Sequence, residues 1–240
     1  MTEAANSAEL VPDAIRNKLA LALDVDDLVA AGRLARDLRP YFGVAKVGLE
    51  LFSAAGPDIF GVLIDAGYKV FADLKLHDIP TTVNKASQVL GSLGVSYVTM
   101  HANGGLDMLT AGVEGLDEGA ANAGLERPIA VAVTVLTSDM GAPQHIVAQR
   151  VGIALEAGCG GIVCAGPDLK DIGSLAPDMV RVVPGIRPAG TAANDQARIA
   201  TPAQAISDGA GLLVIGRAVT LADDPQAAAA AIVAEVRGQD

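Results

Sequence analysis

Four charged side chains lie at or near the ends of apolar runs, where they could act together on a substrate. They are Asp24, Lys46, Asp73 and Lys75. Burying a charge is unfavourable unless an opposite charge pairs with it, and two lysines with two aspartates supply such pairs. We interpret the four residues as a candidate catalytic array. The alternative, for any one of them alone, is a solvated loop residue.

A second group of residues has the chemistry of a phosphate site. Gly216-Arg217 follows the last apolar run and precedes the final helix-length segment. Backbone N–H groups at such a helix start bind anions. Arg187 and Gln196 lie beyond the seventh run, and the stretch 184–194 there is rich in Gly, Ala and Thr, so it is a candidate lid. The pattern indicates a small phosphorylated ligand, the alternative being a plain surface loop.

Eight short apolar runs predict the strands that would position these residues. They are 18–23, 42–47, 69–74, 97–100, 129–136, 161–164, 180–183 and 212–215. Helix-length segments separate them, including 26–38, 50–66, 80–90 and 106–121. Glycines before the next strand predict left-handed helix ends at Gly67, Gly94, Gly160 and Gly211. Regular alternation of strand and helix predicts a parallel sheet.

Eight such units favour a closed TIM (β/α)₈ barrel over an open, doubly wound α/β sheet. A doubly wound sheet needs a glycine-rich turn after its first strand, and the first run here ends in Leu23-Asp24-Val25-Asp26. No linker divides the chain. We therefore expect one barrel domain over residues 18–240, preceded by an N-terminal extension, 1–17, with no assigned role.

Alternation along the strands predicts which side chains reach the barrel axis, because residues two apart face the same way. In the first strand, the side chains expected to face the helices are those of Leu19, Leu21 and Leu23. Those expected to face the axis are Ala20, Ala22 and Asp24. Lys46 shares the face of Val44, and Asp73 shares that of Lys75. In a barrel the carboxyl ends of the strands carry the catalytic groups, so the four charges should converge at that mouth.

The composition argues against several classes of protein. A net charge of −11 disfavours nucleic acid and anionic membrane surfaces as partners. No apolar run is long enough to predict a membrane span, and the first 17 residues lack the pattern of a signal peptide, so we expect a cytoplasmic protein. Cys159 and Cys164 have the spacing of neither a zinc site nor a redox pair, and are expected in the core.

The three histidines are weaker candidates. His101 ends the fourth predicted strand and is a possible general acid or base, although a structural role is the favoured interpretation. A structural role is also expected for His77. His145 is expected on the surface of a helix.

From about Lys18 to Thr220 the chain resembles the bacterial type of orotidine 5′-phosphate decarboxylase. The motifs that carry the resemblance are Leu21-Ala22-Leu23-Asp24, Lys46-Val47-Gly48-Leu49-Glu50-Leu51-Phe52, Phe71-Ala72-Asp73-Leu74-Lys75-Leu76-His77-Asp78-Ile79-Pro80, Leu136-Thr137-Ser138, Pro184-Gly185-Ile186-Arg187-Pro188-Ala189-Gly190, Asp195-Gln196, Thr201-Pro202 and Ile215-Gly216-Arg217. Together they are highly specific, whereas each alone is weak. One departure is Thr81, where bacterial members commonly have Asn; the following Thr82 is retained.

The resemblance implies a homodimeric barrel that converts orotidine 5′-monophosphate to UMP and carbon dioxide, the last step of de novo pyrimidine synthesis. It implies that the enzyme uses no cofactor and no metal. Lys75 would be the catalytic proton donor within an array of Lys46, Asp73, Lys75 and Asp78, with Asp78 entering the active site of the partner subunit. Asp24 would hold the ribose.

The resemblance also implies a set of substrate-binding residues. One stretch would line the site, together with Thr137, and consists of Asp73, Leu74, Lys75, Leu76, His77, Asp78, Ile79, Pro80, Thr81 and Thr82. The residues on the phosphate side would be Arg187, Gln196, Gly216 and Arg217.

Two rival functions remain open. One is a magnesium-dependent sugar-phosphate lyase or decarboxylase of the same superfamily, which shares the Asp-x-Lys-x-x-Asp pattern but carries an acidic residue where this chain has Lys46. Since a hard cation prefers carboxylates to an ammonium group, Lys46 argues against that function. The other rival is a non-catalytic phosphate- or nucleotide-binding barrel, which would not need four converging charges.

Overall fold

The computed structural model describes residues 11–136, 144–188 and 200–238, and they form a closed barrel of eight parallel strands. The strands follow one another around the barrel in chain order, and the last pairs with the first. They are β1 Leu19–Ala22, β2 Val44–Val47, β3 Lys69–Leu76, β4 Tyr97–His101, β5 Ile129–Val133, β6 Gly161–Val163, β7 Val180–Val183 and β8 Leu212–Ile215. The predicted TIM barrel is confirmed.

Helices connect the strands on the outside of the barrel. They are α1 Asp13–Arg16, α2 Leu28–Leu38, α3 Leu49–Ala55, α4 Asp58–Asp65, α5 Pro80–Ser92, α6 Gly105–Ala123, α7 Gln144–Glu156, α8 Leu169–Leu175, α9 Pro202–Ser207, α10 Arg217–Thr220 and α11 Pro225–Arg237. No helix in these described segments is long and apolar enough to cross a membrane.

The predicted alternation in β1 is confirmed, because the side chains of the barrel fall into two layers. Leu19, Leu21 and Leu23 belong to the large core between strands and helices. Ala20 and Ala22 belong to a separate core inside the barrel. The other buried members of that inner core are Val44, Phe71, Val131, Val182, Leu212 and Val214. The inner core fills the barrel below the carboxyl ends of the strands, and the mouth where ligands bind in such barrels lies above it.

One predicted helix is interrupted in the structure, and one predicted strand is too long. The predicted helix 50–66 is two helices, α3 and α4, because Gly56 adopts a left-handed φ of 67° and Pro57 has no N–H with which to continue the helix. The predicted strand 129–136 ends at Val133.

The predicted left-handed helix ends are confirmed at Gly67 and Gly94. They are wrong at Gly160 and Gly211, where the left-handed residue lies two positions earlier, at Gly158 and Gly209. The reason is that the two later glycines, directly before β6 and β8, already form hydrogen bonds to the sheet. Their N–H groups donate to carbonyl groups of the neighbouring strands, Gly160 to Ala130 and Gly211 to Arg181.

The part of the N-terminal segment that the structure describes packs against the barrel. Val11 and Ile15 are buried in the outer core. The carbonyl oxygen of Arg16 accepts a 2.8 Å hydrogen bond from the N–H of Gly43, directly before β2. These contacts stabilise the end of the barrel opposite the mouth.

Candidate active site

A cavity of about 240 Å³ opens at the carboxyl ends of the strands. Its polar and glycine lining includes seven residues predicted from the sequence, namely Asp24, Lys46, Asp73, Lys75, Arg187, Gly216 and Arg217. Apolar side chains of the inner core, such as Phe71 and Val182, form its floor. A concave apolar pocket with a few converging polar groups is the usual form of a small-molecule site.

The four predicted charges form a chain of alternating sign in this cavity. Lys46 Nζ lies 3.1 Å from Asp24 Oδ1 and 3.4 Å from Asp73 Oδ2. The other oxygen of Asp73, Oδ1, lies 2.8 Å from Lys75 Nζ. The four charges therefore converge at the mouth of the barrel, as predicted. Each buried charge has an opposite charge beside it.

The side chains of this ion-pair array differ in burial, and the difference indicates which of them can contact a ligand. The side chains of Lys46 and Asp73 are only 10% and 14% exposed, whereas that of Lys75 is 33% exposed. Lys46 and Asp73 therefore form the buried base of the array. Lys75 keeps its ammonium group open to the cavity, where it can meet a ligand.

Asp73 is held in its ionised form. Burial raises its pKa, but the charges of Lys46 and Lys75 and hydrogen bonds from Lys75 and Thr99 outweigh burial, so that the pKa lies below its ordinary value. A buried carboxylate that stays ionised at neutral pH anchors both lysines by attraction. It fixes the position of the Lys75 ammonium more firmly than a neutral acid would.

The backbone of Lys75 is strained. Among the described residues it is the one non-glycine residue with a left-handed conformation, at a φ of 51°. The pairing of β3 with β4 is irregular there, since the three residues between Ala72 and Leu76 lie opposite a single residue, Thr99. A left-handed residue other than Gly costs about 1–2 kcal/mol, and such strain clusters at functional sites. Simple strand alternation did not predict this bulge.

Two residues that the sequence interpretation missed shape the array. Thr99, on β4, is fully buried and bonds both Asp73 and the backbone of Lys75. Gly48 leaves room for the first ion pair, because an added Cβ would lie 3.2 Å from Lys46 Nζ and 3.4 Å from Asp24 Oδ1. The sequence does contain a signal for each of them. Thr99 is a single polar residue on the inward face of an apolar strand, and Gly48 follows Lys46 by two residues.

Positive charge gathers on the side of the cavity formed by β7 and β8. The side chain of Arg187 is buried yet lines the cavity, and its Nε has no hydrogen-bond partner among the described residues. Arg217 begins α10 directly after Gly216. The cavity thus has an overall neutral ion array on one side and two guanidinium groups on the other.

A family model described as "Orotidine 5'-phosphate decarboxylase / HUMPS family" matches residues 17–232. The chain belongs to this family. The protein named orotidine 5'-phosphate decarboxylase from Moorella thermoacetica is 43% identical over 240 residues, covering 95% of each chain. The one from Halorhodospira halophila is 44% identical over 230 residues, covering 91% of this chain and 95% of its own.

Solved structures agree with this assignment to the orotidine 5'-phosphate decarboxylase / HUMPS family. The crystal structure of orotidine 5'-phosphate decarboxylase from Lactobacillus acidophilus superposes with a TM-score of 0.78 at 35% identity. The superposition covers 92% of this chain and 99% of that one. An uncharacterised conserved protein from Geobacillus kaustophilus gives a TM-score of 0.75 at 34% identity, covering 91% and 99%.

The remaining described residues that family resemblance assigned to the site do not line the cavity of this single chain. Leu74 and Leu76 are partly buried and pack against the outer core. The other members lie exposed at the turn from β3 into α5, and they are His77, Asp78, Ile79, Pro80, Thr81 and Thr82. Asp78 Oδ1 accepts a 2.6 Å hydrogen bond from the N–H of Ile79. Thr137 and Gln196 lie outside the described residues.

Two of the three histidines, His77 and His101, lie near the array but are not among the residues that line the cavity. His77 and His101 face each other with ring centroids 5.4 Å apart. Burial is the main cause that lowers the pKa of His101, and electrostatic interactions with His77, Lys75 and Arg150 lower it further. Asp73 opposes this shift with a smaller effect. An imidazole with a lowered pKa is neutral at pH 7. His145 lies exposed on α7, as predicted.

Cys159 and Cys164 are buried and unpaired, and burial raises the pKa of each thiol to about 12. The prediction that they are core residues is confirmed. Within the described segments, no three His, Cys, Asp or Glu side chains are grouped closely enough to share a metal ion.

Proposed function

We propose that the chain decarboxylates orotidine 5′-monophosphate to UMP and carbon dioxide, the last step of de novo pyrimidine synthesis. The observation that carries the proposal is the ion chain Lys46–Asp73–Lys75 at the mouth of the cavity. Family membership supports it, because a relative that covers 95% of the chain bears the name of this decarboxylase.

The two ends of the cavity suit the two ends of this nucleotide. Arg187 and Arg217 supply guanidinium groups that match phosphate oxygens. Asp24 lies between the two ends, because its Oδ1 bonds Lys46 while its Oδ2 would lie 3.7 Å from a Cβ added at Gly216. A carboxylate in that position accepts hydrogen bonds from ribose hydroxyl groups. The pyrimidine carboxylate then lies towards Lys75.

Lys75 supplies the chemistry in this proposal. When the bond between ring carbon C6 and the carboxylate breaks, the electron pair stays on C6 and carbon dioxide leaves. An ammonium group fixed beside C6 stabilises this developing charge more than it stabilises the bound substrate, and only such a difference accelerates the reaction. Lys75 Nζ then transfers its proton to C6, and solvent restores the lysine proton.

Asp73 and Lys46 hold Lys75 in place. Asp73 bonds Lys75 through Oδ1 and faces Lys46 through Oδ2, so its carboxylate cannot turn without losing one of its two ion pairs. With the substrate carboxylate placed beside it, Asp73 would also destabilise the bound ground state. The binding energy of the remote phosphate offsets this repulsion.

We further propose that the enzyme is a homodimer with shared active sites, in which Asp78 completes the array of the partner subunit. The support is that Asp78 is exposed in the single chain and that its neighbour Ile79, a large apolar residue, is 66% exposed. An exposed apolar residue beside a functional charge suits a subunit interface.

We place the enzyme in the cytoplasm, acting on a free nucleotide rather than on nucleic acid or a membrane. The support is the net charge of −11, which disfavours polyanionic partners, together with a site sized for one small molecule.

The test is the loss of orotidine 5′-monophosphate absorbance on incubation with the purified chain, with and without EDTA. Turnover that EDTA leaves unchanged is expected. Absence of turnover would contradict the decarboxylase proposal. Turnover abolished by EDTA and restored by magnesium would favour a metal-dependent lyase, for which Lys46 is an unsuitable ligand.

A further inference from the structure

Thr99 links the two residues on which the proposed chemistry depends. Its Oγ1 accepts a 2.9 Å hydrogen bond from the backbone N–H of Lys75. The same hydroxyl lies 3.0 Å from Asp73 Oδ1. Thr99 itself is 0% exposed and is not part of the cavity lining, so it does not touch a ligand.

The direction of both hydrogen bonds is determined by chemistry. The N–H of Lys75 can only donate, so it occupies a lone pair of the Thr99 hydroxyl. Asp73 is ionised and can only accept, so it receives the one hydroxyl proton. Asp73 Oδ1 therefore takes two donors, the Thr99 hydroxyl and Lys75 Nζ at 2.8 Å.

The irregular pairing of β3 and β4 makes this hydroxyl necessary. The left-handed Lys75 lies within the bulge, and its N–H bonds a side chain where a regular ladder would offer a carbonyl group. A buried N–H without a partner is strongly disfavoured. The Thr99 hydroxyl takes the place of the missing carbonyl, and so it holds the backbone from which the Lys75 side chain starts.

We propose that Thr99 is a positioning residue for the decarboxylation, which aims the Lys75 ammonium by bonding its backbone and the carboxylate that anchors it. This inference rests on the proposed function. Thr99 acts through the other two residues, and its contribution lies in the transition state, where a displacement of the ammonium is most damaging.

The test compares Thr99→Val, which keeps the shape and removes the hydroxyl, with Thr99→Ser, which keeps the hydroxyl. A matched control is Thr134→Val. Thr134 is also buried, directly follows the neighbouring strand β5, and donates to the carbonyl of Val163 at 2.9 Å without an ion pair or hydrogen bond to the array.

We expect Thr99→Val to lower kcat about 10- to 100-fold with KM changed by less than about threefold, since small misplacement of a reacting group has effects of this size. Thr99→Ser should stay within about fivefold of wild type because it restores both bonds. Thr134→Val should lose stability to a similar degree, measured by thermal melting, but keep kcat within about twofold, since it lies outside the array.

Equal kcat values for Thr99→Val and Thr134→Val would overturn the inference. A hydroxyl group with a purely structural role would change the melting temperature but not kcat. If Thr99→Val does not fold, Thr99→Ala against Thr99→Ser gives the same comparison, and an Ala variant as active as the Ser variant would overturn it. Failure of the proposed function is recognised separately: the wild type would not turn over, or Lys75→Ala would stay active.

Discussion

The ammonium group of Lys75 lies 2.8 Å from the carboxylate of Asp73, only two residues earlier in the same strand. In a regular strand, residues two apart are separated by about 6.6 Å along one face. Here a bulge and a left-handed backbone intervene, and the Lys75 side chain meets Asp73 at hydrogen-bond distance. The strand is irregular at the position where the chemistry is proposed.

This geometry predicts that the left-handed backbone at position 75 is strained for any residue other than glycine. Lys75→Gly and Lys75→Ala both remove the ammonium, but only Gly adopts a left-handed φ without strain. We expect the Gly variant to have a free energy of unfolding about 0.5–1 kcal/mol higher than the Ala variant, with both inactive. Urea denaturation measures the difference. An Ala variant at least as stable as the Gly variant would show that the backbone is not strained.

The lowered pKa of Asp73 predicts a pH-dependent contribution to stability. Because the folded value lies below the ordinary 3.8, the ionised carboxylate stabilises the fold above about that pH, and this stabilisation is lost as the pH falls through the folded pKa. The stability difference between wild type and Asp73→Asn should therefore shrink between pH 6 and pH 3. Urea denaturation at several pH values tests this. A difference that grows on acidification would mean that Lys46 and Lys75 do not hold the carboxylate ionised.

The phosphate role of Arg217 predicts a loss that depends on the substrate. Arg217→Ala should lower kcat/KM for orotidine 5′-monophosphate by about 10- to 150-fold, the value of a charge-assisted hydrogen bond, and barely affect the nucleoside orotidine. Arg237→Ala, on the exposed end of α11, is the control. Equal losses for nucleotide and nucleoside would refute the phosphate role.

Shared active sites predict that two inactive variants rescue each other. When Lys75→Ala and Asp78→Ala chains are mixed and allowed to exchange subunits, a mixed dimer has one site with both residues intact. Random exchange should restore about a quarter of wild-type activity, since half of the dimers are mixed and each has one intact site. No rescue, with mixed dimers present on native mass spectrometry, would mean that Asp78 serves its own subunit or none.

The strand ends were predictable because their signals are local. Apolar runs bounded by polar residues mark strands, and the period of two placed Ala22 and Asp24 on the axial face and Leu23 on the other. The same reasoning brought Lys46 to the mouth, because parallel strands in a barrel end on one side.

The bulge was not predictable, because it depends on how β3 pairs with β4 and not on the residues of β3 alone. The role of Thr99 depends on the bulge, so it could not be predicted from the sequence either. Gly56 and Pro57, by contrast, were a readable helix break within the predicted segment 50–66. The placement of Asp78 relative to a neighbouring site is a property of two chains, and no pattern within one chain determines it.

The most direct test of the proposed chemistry is the turnover of orotidine 5′-monophosphate by Lys75→Ala, with Lys69→Ala as a control at the exposed, opposite end of the same strand. In this proposal the Lys75 ammonium group both stabilises the developing charge and supplies the proton. We therefore expect its loss to lower kcat by at least about 10³-fold. UMP binding and the melting temperature should be retained, and Lys69→Ala should match the wild type. Near-normal decarboxylation by Lys75→Ala would contradict the assignment of the array as the catalytic centre.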